Sequence, residues 1–247
     1  MCMLSGALMD VGRLILRGAL ILRGAALLLL LAPYVAAEEL VETTTEPLPP
    51  DYQIHADGSV TQRLCFNWSC ASRQYVKFTA AEMANVAQQM ALCSNESLHD
   101  RLQRMRIGVW QMEVLAEKYQ PILANDKGIN DFDFDKDGRM DCVDNASNTS
   151  TYLNVLHDLG LLPGWRMAES KTRNPFSLDV HWSAAVVDAR DPKDEEAVWV
   201  IDSWFRANGH LPVVMPLNDW GNSLLGWEPP FAEWNDYPQY TEQLCSK

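Results

Sequence analysis

Five cysteines follow residue 37 of this 247-residue chain: Cys65, Cys70, Cys93, Cys142 and Cys245. In an oxidising compartment cysteines pair. An odd number leaves one thiol over, and a leftover thiol is a candidate nucleophile. The surroundings select Cys142. It stands in "MDCVDNAS", just ahead of a run in which Ala146, Leu153, Leu156 and Leu159 keep helical phase and Gly160 supplies a stop. A cysteine at a helix start meets unpaired backbone N–H groups and the positive end of the dipole, and both favour the reactive thiolate. Asp141 and Asp144 oppose it, since negative charge disfavours a second anion. The remaining four cysteines are expected to pair, in one of three ways.

A thiolate beside two carboxylates needs a histidine. His55 lies in a turn-rich segment, His99 and His157 on predicted helices, and His210 after Asn208–Gly209 in a turn; each reads as a surface or packing residue. His181 differs. It lies in "LDVHWSAAVV", a run of strand character in which His181, Ser183, Ala185 and Val187 share one face. A charged turn, "DARDPKDEE", leads to "AVWVIDSWF", and the two runs can pair as an antiparallel hairpin. One register, with Val187 facing Glu196, sets His181 opposite Asp202. Asp202 is a lone carboxylate among Trp199, Val200, Ile201 and Trp204, and a buried charge needs a partner. Cys142, His181 and Asp202 together suit nucleophilic acyl transfer. The thiolate attacks a carbonyl, the imidazole moves the proton, and the carboxylate fixes the imidazole tautomer.

The elements that must hold these residues are partly legible. Asp57–Gly58 marks a turn between short β-like runs, and "TAAE" from Thr79 opens a helix to about Leu92 through a capping box. Leu98, Leu102, Met105, Val109, Met112, Ala116 and Tyr119 form one apolar helix face, closed near Pro121. From the order of Cys, helix, His strand and Asp strand, residues 95–206 resemble the transglutaminase-like cysteine superfamily. "MDCVDNAS" is similar to the Gly-Asp-Cys-Glu-Asp-Tyr-Ala stretch of bacterial transglutaminase-like cysteine proteinases, with Met140, Val143 and Asn145 departing from it. The resemblance implies an α+β fold with a papain-like core, its Cys-bearing helix packed on an antiparallel sheet. It also implies hydrolysis or cross-linking of amides on a protein or peptide substrate. Trp110 and Gln111 stand where such proteins often place an oxyanion-hole side chain.

The acidic stretch ahead of Cys142 has a second reading. Asp133, Asp135, Asp137, Gly138, Asp141 and Asp144 fit D-x-D-x-D-G-x-x-D-x-x-D, which resembles calcium loops of the EF-hand and thrombospondin type 3 kinds. The expected ligand set is Asp133, Asp135, Asp137, Arg139, Asp141 and Asp144, around Ca²⁺. No organic cofactor is expected.

Composition narrows the setting. With 47% apolar residues and nine Trp, the chain is globular, and its net charge of −13 argues against nucleic acid as a partner. Arg13, Arg17 and Arg23 precede "GAALLLLLAPYV", and "VAA" offers small residues for cleavage. Residues 1–37 thus read as a signal peptide, or as a membrane anchor over 14–37 if uncleaved. The acidic, Thr- and Pro-rich residues 38–50 read as a linker, and 51–247 as the domain. The expected product is periplasmic or secreted. Three functions compete: a hydrolase of peptide or amide bonds, an amine-accepting cross-linker, and a non-catalytic, calcium-steadied binding module.

Overall fold

The computed structural model describes residues 50–129, 135–174, 180–190, 197–222 and 245. The expected signal segment and nearly all of the linker lie outside the described residues. Within them the fold is α+β: helices packed on two antiparallel sheets. The first sheet has the order β1-β2-β3, with β1 (Tyr52–Ile54), β2 (Val60–Phe66) and β3 (Ser72–Phe78). Gly58, at φ 81°, supplies the turn between β1 and β2. The second sheet has the order β4-β5-β6-β7: β4 (Trp165–Arg173), β5 (His181–Asp188), β6 (Val198–Asp202) and β7 (Val213–Pro216).

Three helices carry side-chain caps, and local sequence dictates each. Thr79 and Glu82 close a capping box on α1 (Ala80–Met90), and Ser97 caps α2 (Leu98–Tyr119). Asp141 and Asp144 form the third, on α3 (Cys142–Asp158). The short α4 (Leu217–Asn222) follows β7. Among the described residues no helix is long and apolar enough to cross a membrane.

The helix α3 packs against β5 on one side and β2 on the other, with α2 beside it. One core joins them, including Leu64, Phe78, Met90, Met105, Met112, Leu153, Leu156, Val186 and Ile201. Gly108 lets α2 come close: a Cβ there would stand 2.7 Å from Leu156 Cδ1. A smaller cluster, Val200, Val213, Met215 and Trp220, covers the other face of the second sheet. Polar ties fix the long helix. Arg101 of α2 forms a buried forked pair with Asp188 at the end of β5, and Arg106 donates from Nε to the Pro212 carbonyl at 2.7 Å, just ahead of β7.

Two disulfides join Cys65 to Cys70 and Cys93 to Cys245, so the four expected cysteines pair among themselves. Such bonds fit an oxidising, extracellular-type environment. The expectation that Cys142 stays free does not hold here. No described cysteine is free, and Cys142 is itself disulfide-bonded. The odd count assumed the loss of Cys2, whereas the full chain has six cysteines, an even number.

Candidate functional site

Cys142 is the first residue of α3 and fully buried. Asp141, at the N-cap, accepts the N–H groups of Val143 and Asp144 on one oxygen, each at 2.9 Å. Asp144 reaches back to accept the N–H of Asp141 at 3.2 Å. Burial, and then the charge of Asp141, push the Asp144 carboxyl up to about 7. Near neutral pH the charge opposing a thiolate is therefore smaller than two carboxylates would supply.

The helix start is gripped from the side by the chain leaving β2. Residues Asn67, Trp68, Ser69 and Cys70 sit at φ 65°, 62°, 53° and 56°, four consecutive left-handed residues without a glycine. Each costs roughly 1–2 kcal/mol relative to the right-handed form, because Cβ crowds the carbonyl. Their polar groups bond to the segment that leads into α3. The Asn67 N–H donates to the Arg139 carbonyl at 2.9 Å, and Asn67 Oδ1 accepts the Gly138 N–H at 2.7 Å. Ser69 Oγ donates to Asp141 Oδ2 at 3.1 Å, and the Cys70 N–H donates to Asp144 Oδ1 at 2.5 Å. Further along, the Asn148 side chain meets both the N–H and the carbonyl of Cys65, each at 2.8 Å.

His181 opens β5, buried at 3% exposure, and Asp202 ends β6 at 2%. His181 Nε2 donates to Asp202 Oδ2 at 2.7 Å. Trp220 Nε1 donates to the same oxygen at 2.9 Å. The rings of Trp204, Phe205 and Trp220 surround the imidazole, with centroids at 4.7, 5.7 and 5.6 Å. Among the described residues, His181 Nδ1 is buried without a hydrogen-bond partner. Cys142 belongs to the same neighbourhood. It packs on Trp204, and its Sγ lies 3.9 Å from the carbonyl of Val180, the residue before His181.

The hairpin register differs from the one set out above. Val187 pairs with Val198 and Ala184 with Ile201, a shift of two residues. Two residues are one full pleat, so the faces are unchanged and His181 still meets Asp202, on a diagonal. Ser183 donates to the Ile201 carbonyl at 2.8 Å instead.

Trp110 is part of α2, where it packs on the main core rather than on the cluster of Cys142 and Trp204, and Gln111 follows it, half-buried. The acidic loop is only partly described: Asp133 lies outside the described residues, while Asp135 and Asp137 are exposed. Asp141 and Asp144 turn into the helix cap, and the Arg139 carbonyl is taken by Asn67. Among the described residues, which do not include Asp133, no group of three or more His, Cys, Asp or Glu is placed to hold a metal ion. Gly138 has another reason to be glycine: at φ 84°, an added Cβ would stand 2.0 Å from the Ile122 carbonyl oxygen.

The other histidines have the ordinary roles expected of them, His55 bonding Thr61 and His210 the Ala207 carbonyl. Sequence reasoning missed Trp220, whose only signal was its place in a C-terminal stretch rich in Trp and Pro. It also missed the left-handed turn. A cavity of about 330 Å³ runs along the outer side of α3, lined by Val143, Ser147, Ser150, Asn154, Tyr52 and Trp182. Neither Cys142 nor His181 lines it: Trp182 is 40% exposed on the face of β5 opposite the buried His181.

No family model, no curated protein and no solved structure matches the chain.

Proposed function

We propose that the chain, once freed of residues 1–37 and with them Cys2, is a cysteine-dependent acyl-transfer enzyme acting on peptide or amide bonds. The fold would then be a transglutaminase-like, papain-like core. One observation carries this reading: a buried His181–Asp202 pair at 2.7 Å, with Nδ1 unbonded, beside a cysteine that opens a helix. Asp202 holds the imidazole with its proton on Nε2, so Nδ1 can take the Cys142 proton and later return it to the leaving amine. The thiolate would attack the carbonyl carbon, and water or an amine would release the acyl group.

The test uses the protein recovered after export. A thiol-directed probe should label Cys142 selectively, Cys142→Ala should lose labelling and turnover, and mapping without reduction should find Cys142 unpaired. Recovery of Cys142 in a disulfide from the active compartment would end this proposal.

That disulfide favours a second reading, a non-catalytic binding module in which Cys142 is structural. It predicts no labelling in the exported protein and a large loss of stability on Cys142→Ala.

A further inference from the structure

The turn Asn67–Cys70 has no conformational reason to exist by itself. Four consecutive residues with side chains hold positive φ, and none is glycine. Such backbone persists only where the surroundings over-determine it. Two things do so here. The Cys65–Cys70 disulfide closes the turn on itself across five residues of sequence. The second is the set of bonds to the segment from Gly138 to Asn148, which carries Cys142 at its centre. Both act on the same four residues. The bonds need the N–H groups aimed by the left-handed turn, and the turn needs its ends held together.

We propose that the Cys65–Cys70 disulfide is a redox-sensitive catch on the start of α3: closed, it locks the left-handed turn against Gly138–Asn148, and a dithiol reductant releases that grip. The two ends of the bond are unequal in the way a catch requires. Cys65 is buried at 1% exposure, fixed in β2 and clamped by Asn148 through its own N–H and carbonyl. Cys70 is half-buried and follows the exposed Ser69, so it is the sulfur a small dithiol can reach. A thiolate of the reductant attacks Cys70 Sγ, and the sulfur–sulfur bond breaks. Its electron pair leaves on Cys65 Sγ, which lies 3.5 Å from Ser147 Oγ and can accept that hydroxyl's hydrogen bond. The second thiol of the reductant then frees Cys70. In sum the dithiol gives two electrons and two protons and becomes a disulfide, while Cys65 and Cys70 become thiols. The released turn relaxes toward right-handed or extended backbone, the N–H of Cys70 swings off Asp144, and the first turn of α3 frays. The catch itself stands on geometry; its effect on activity rests on Cys142 being the nucleophile proposed above.

Amide hydrogen exchange reads the catch without any catalysis. In the intact oxidised protein, Cys65→Ser combined with Cys70→Ser should speed exchange over residues 138–148 at least tenfold, and leave residues 101–112 of α2 as protected as before. If the double variant fails to fold, graded reduction of the unaltered protein with dithiothreitol gives the same reading. Differential alkylation reports which cysteines have opened in each aliquot, and exchange over 138–148 should rise with Cys65 and Cys70. Unchanged exchange with that bond open, or exchange that follows the opening of Cys142 or of Cys93 and Cys245 instead, overturns the proposal. The two readings fail separately. Faster exchange without any probe-reactive Cys142 in the oxidised parent leaves the catch standing and removes the enzyme, whereas a reactive Cys142 whose helix start ignores the disulfide does the reverse.

Discussion

The two sides of the candidate site are held by opposite kinds of structure. On the Cys142 side the support is polar and directional: a helix cap, a left-handed turn, and a set of backbone hydrogen bonds from residues some 70 positions earlier. On the His181 side it is aromatic. Three rings enclose the imidazole, and one of them also donates to Asp202. A directional network fixes where an atom sits, at the cost of strained backbone. An aromatic enclosure fixes less, but it excludes water, so the hydrogen bonds within it act in a lower dielectric and are stronger.

That contrast can be broken most severely at the imidazole. His181→Ala in the exported protein should lower the rate of Cys142 alkylation at neutral pH by about 10²–10⁴, the usual worth of a positioned base, with little change in far-UV circular dichroism. An unchanged rate would remove His181 from the site. Next comes the polar side. Gly138→Ala adds a methyl 2.0 Å from the Ile122 carbonyl oxygen at φ 84°. It should cost roughly 2–4 kcal/mol in urea unfolding, a loss that begins in the loop ahead of Cys142 and spares the aromatic enclosure. A smaller effect separates enclosure from donor. Trp220→Phe keeps a ring and removes the N–H that meets Asp202 at 2.9 Å. Hydrogen bonds to charged groups are worth about 1.5–3 kcal/mol. The alkylation rate should thus fall about tenfold or more and its pH midpoint should move, while exchange over 138–148 stays as it was.

A last effect bears on stability alone and lies in α2, at Glu113. Burial pushes the Glu113 carboxyl up to about 8, against hydrogen bonds from Ser203 and Gly209 that pull it down. The folded protein therefore keeps a proton that the unfolded chain gives up near pH 4.5. Between that pH and about 8 the unfolded state binds fewer protons, so stability falls as pH rises and levels off above. Glu113→Gln should flatten this slope in melting temperature between pH 5 and 8. A slope that persists unchanged would place its origin elsewhere.

What the sequence made legible was local chemistry and strong period. The apolar face from Leu98 to Tyr119 marks α2 at both ends, and the acids around Cys142 mark the start of α3. The His181 and Asp202 strands were readable because side chains alternate with period two, and the misjudged register moved by two and kept the faces. Strands β3, β4 and β7 were not readable. In "WRMAESKTR" the edge strand β4 carries polar residues on both faces and an irregularity between Ala168 and Lys171, which erases alternation. The turn at Asn67–Cys70 has no glycine to announce it, since distant residues hold it. Asp141 and Asp144 show a different limit: carboxylates at cap spacing and at metal-loop spacing are the same letters, and only the fold shows which way they turn.

The amide of Asn148 has a consequence beyond the site. Strand β1 pairs with β2 only from Val60 to Gln62, so among the described residues no strand neighbours the later part of that β2 edge. By taking both the N–H and the carbonyl of Cys65, the Asn148 side chain stands in for the missing strand for the length of one residue. A bare edge is where a second chain can add its own strand and begin a sheet between molecules. The same amide that steadies the helix thus covers a place where another chain could add a strand. Asn148→Ala should reveal itself first as concentration-dependent light scattering on mild heating.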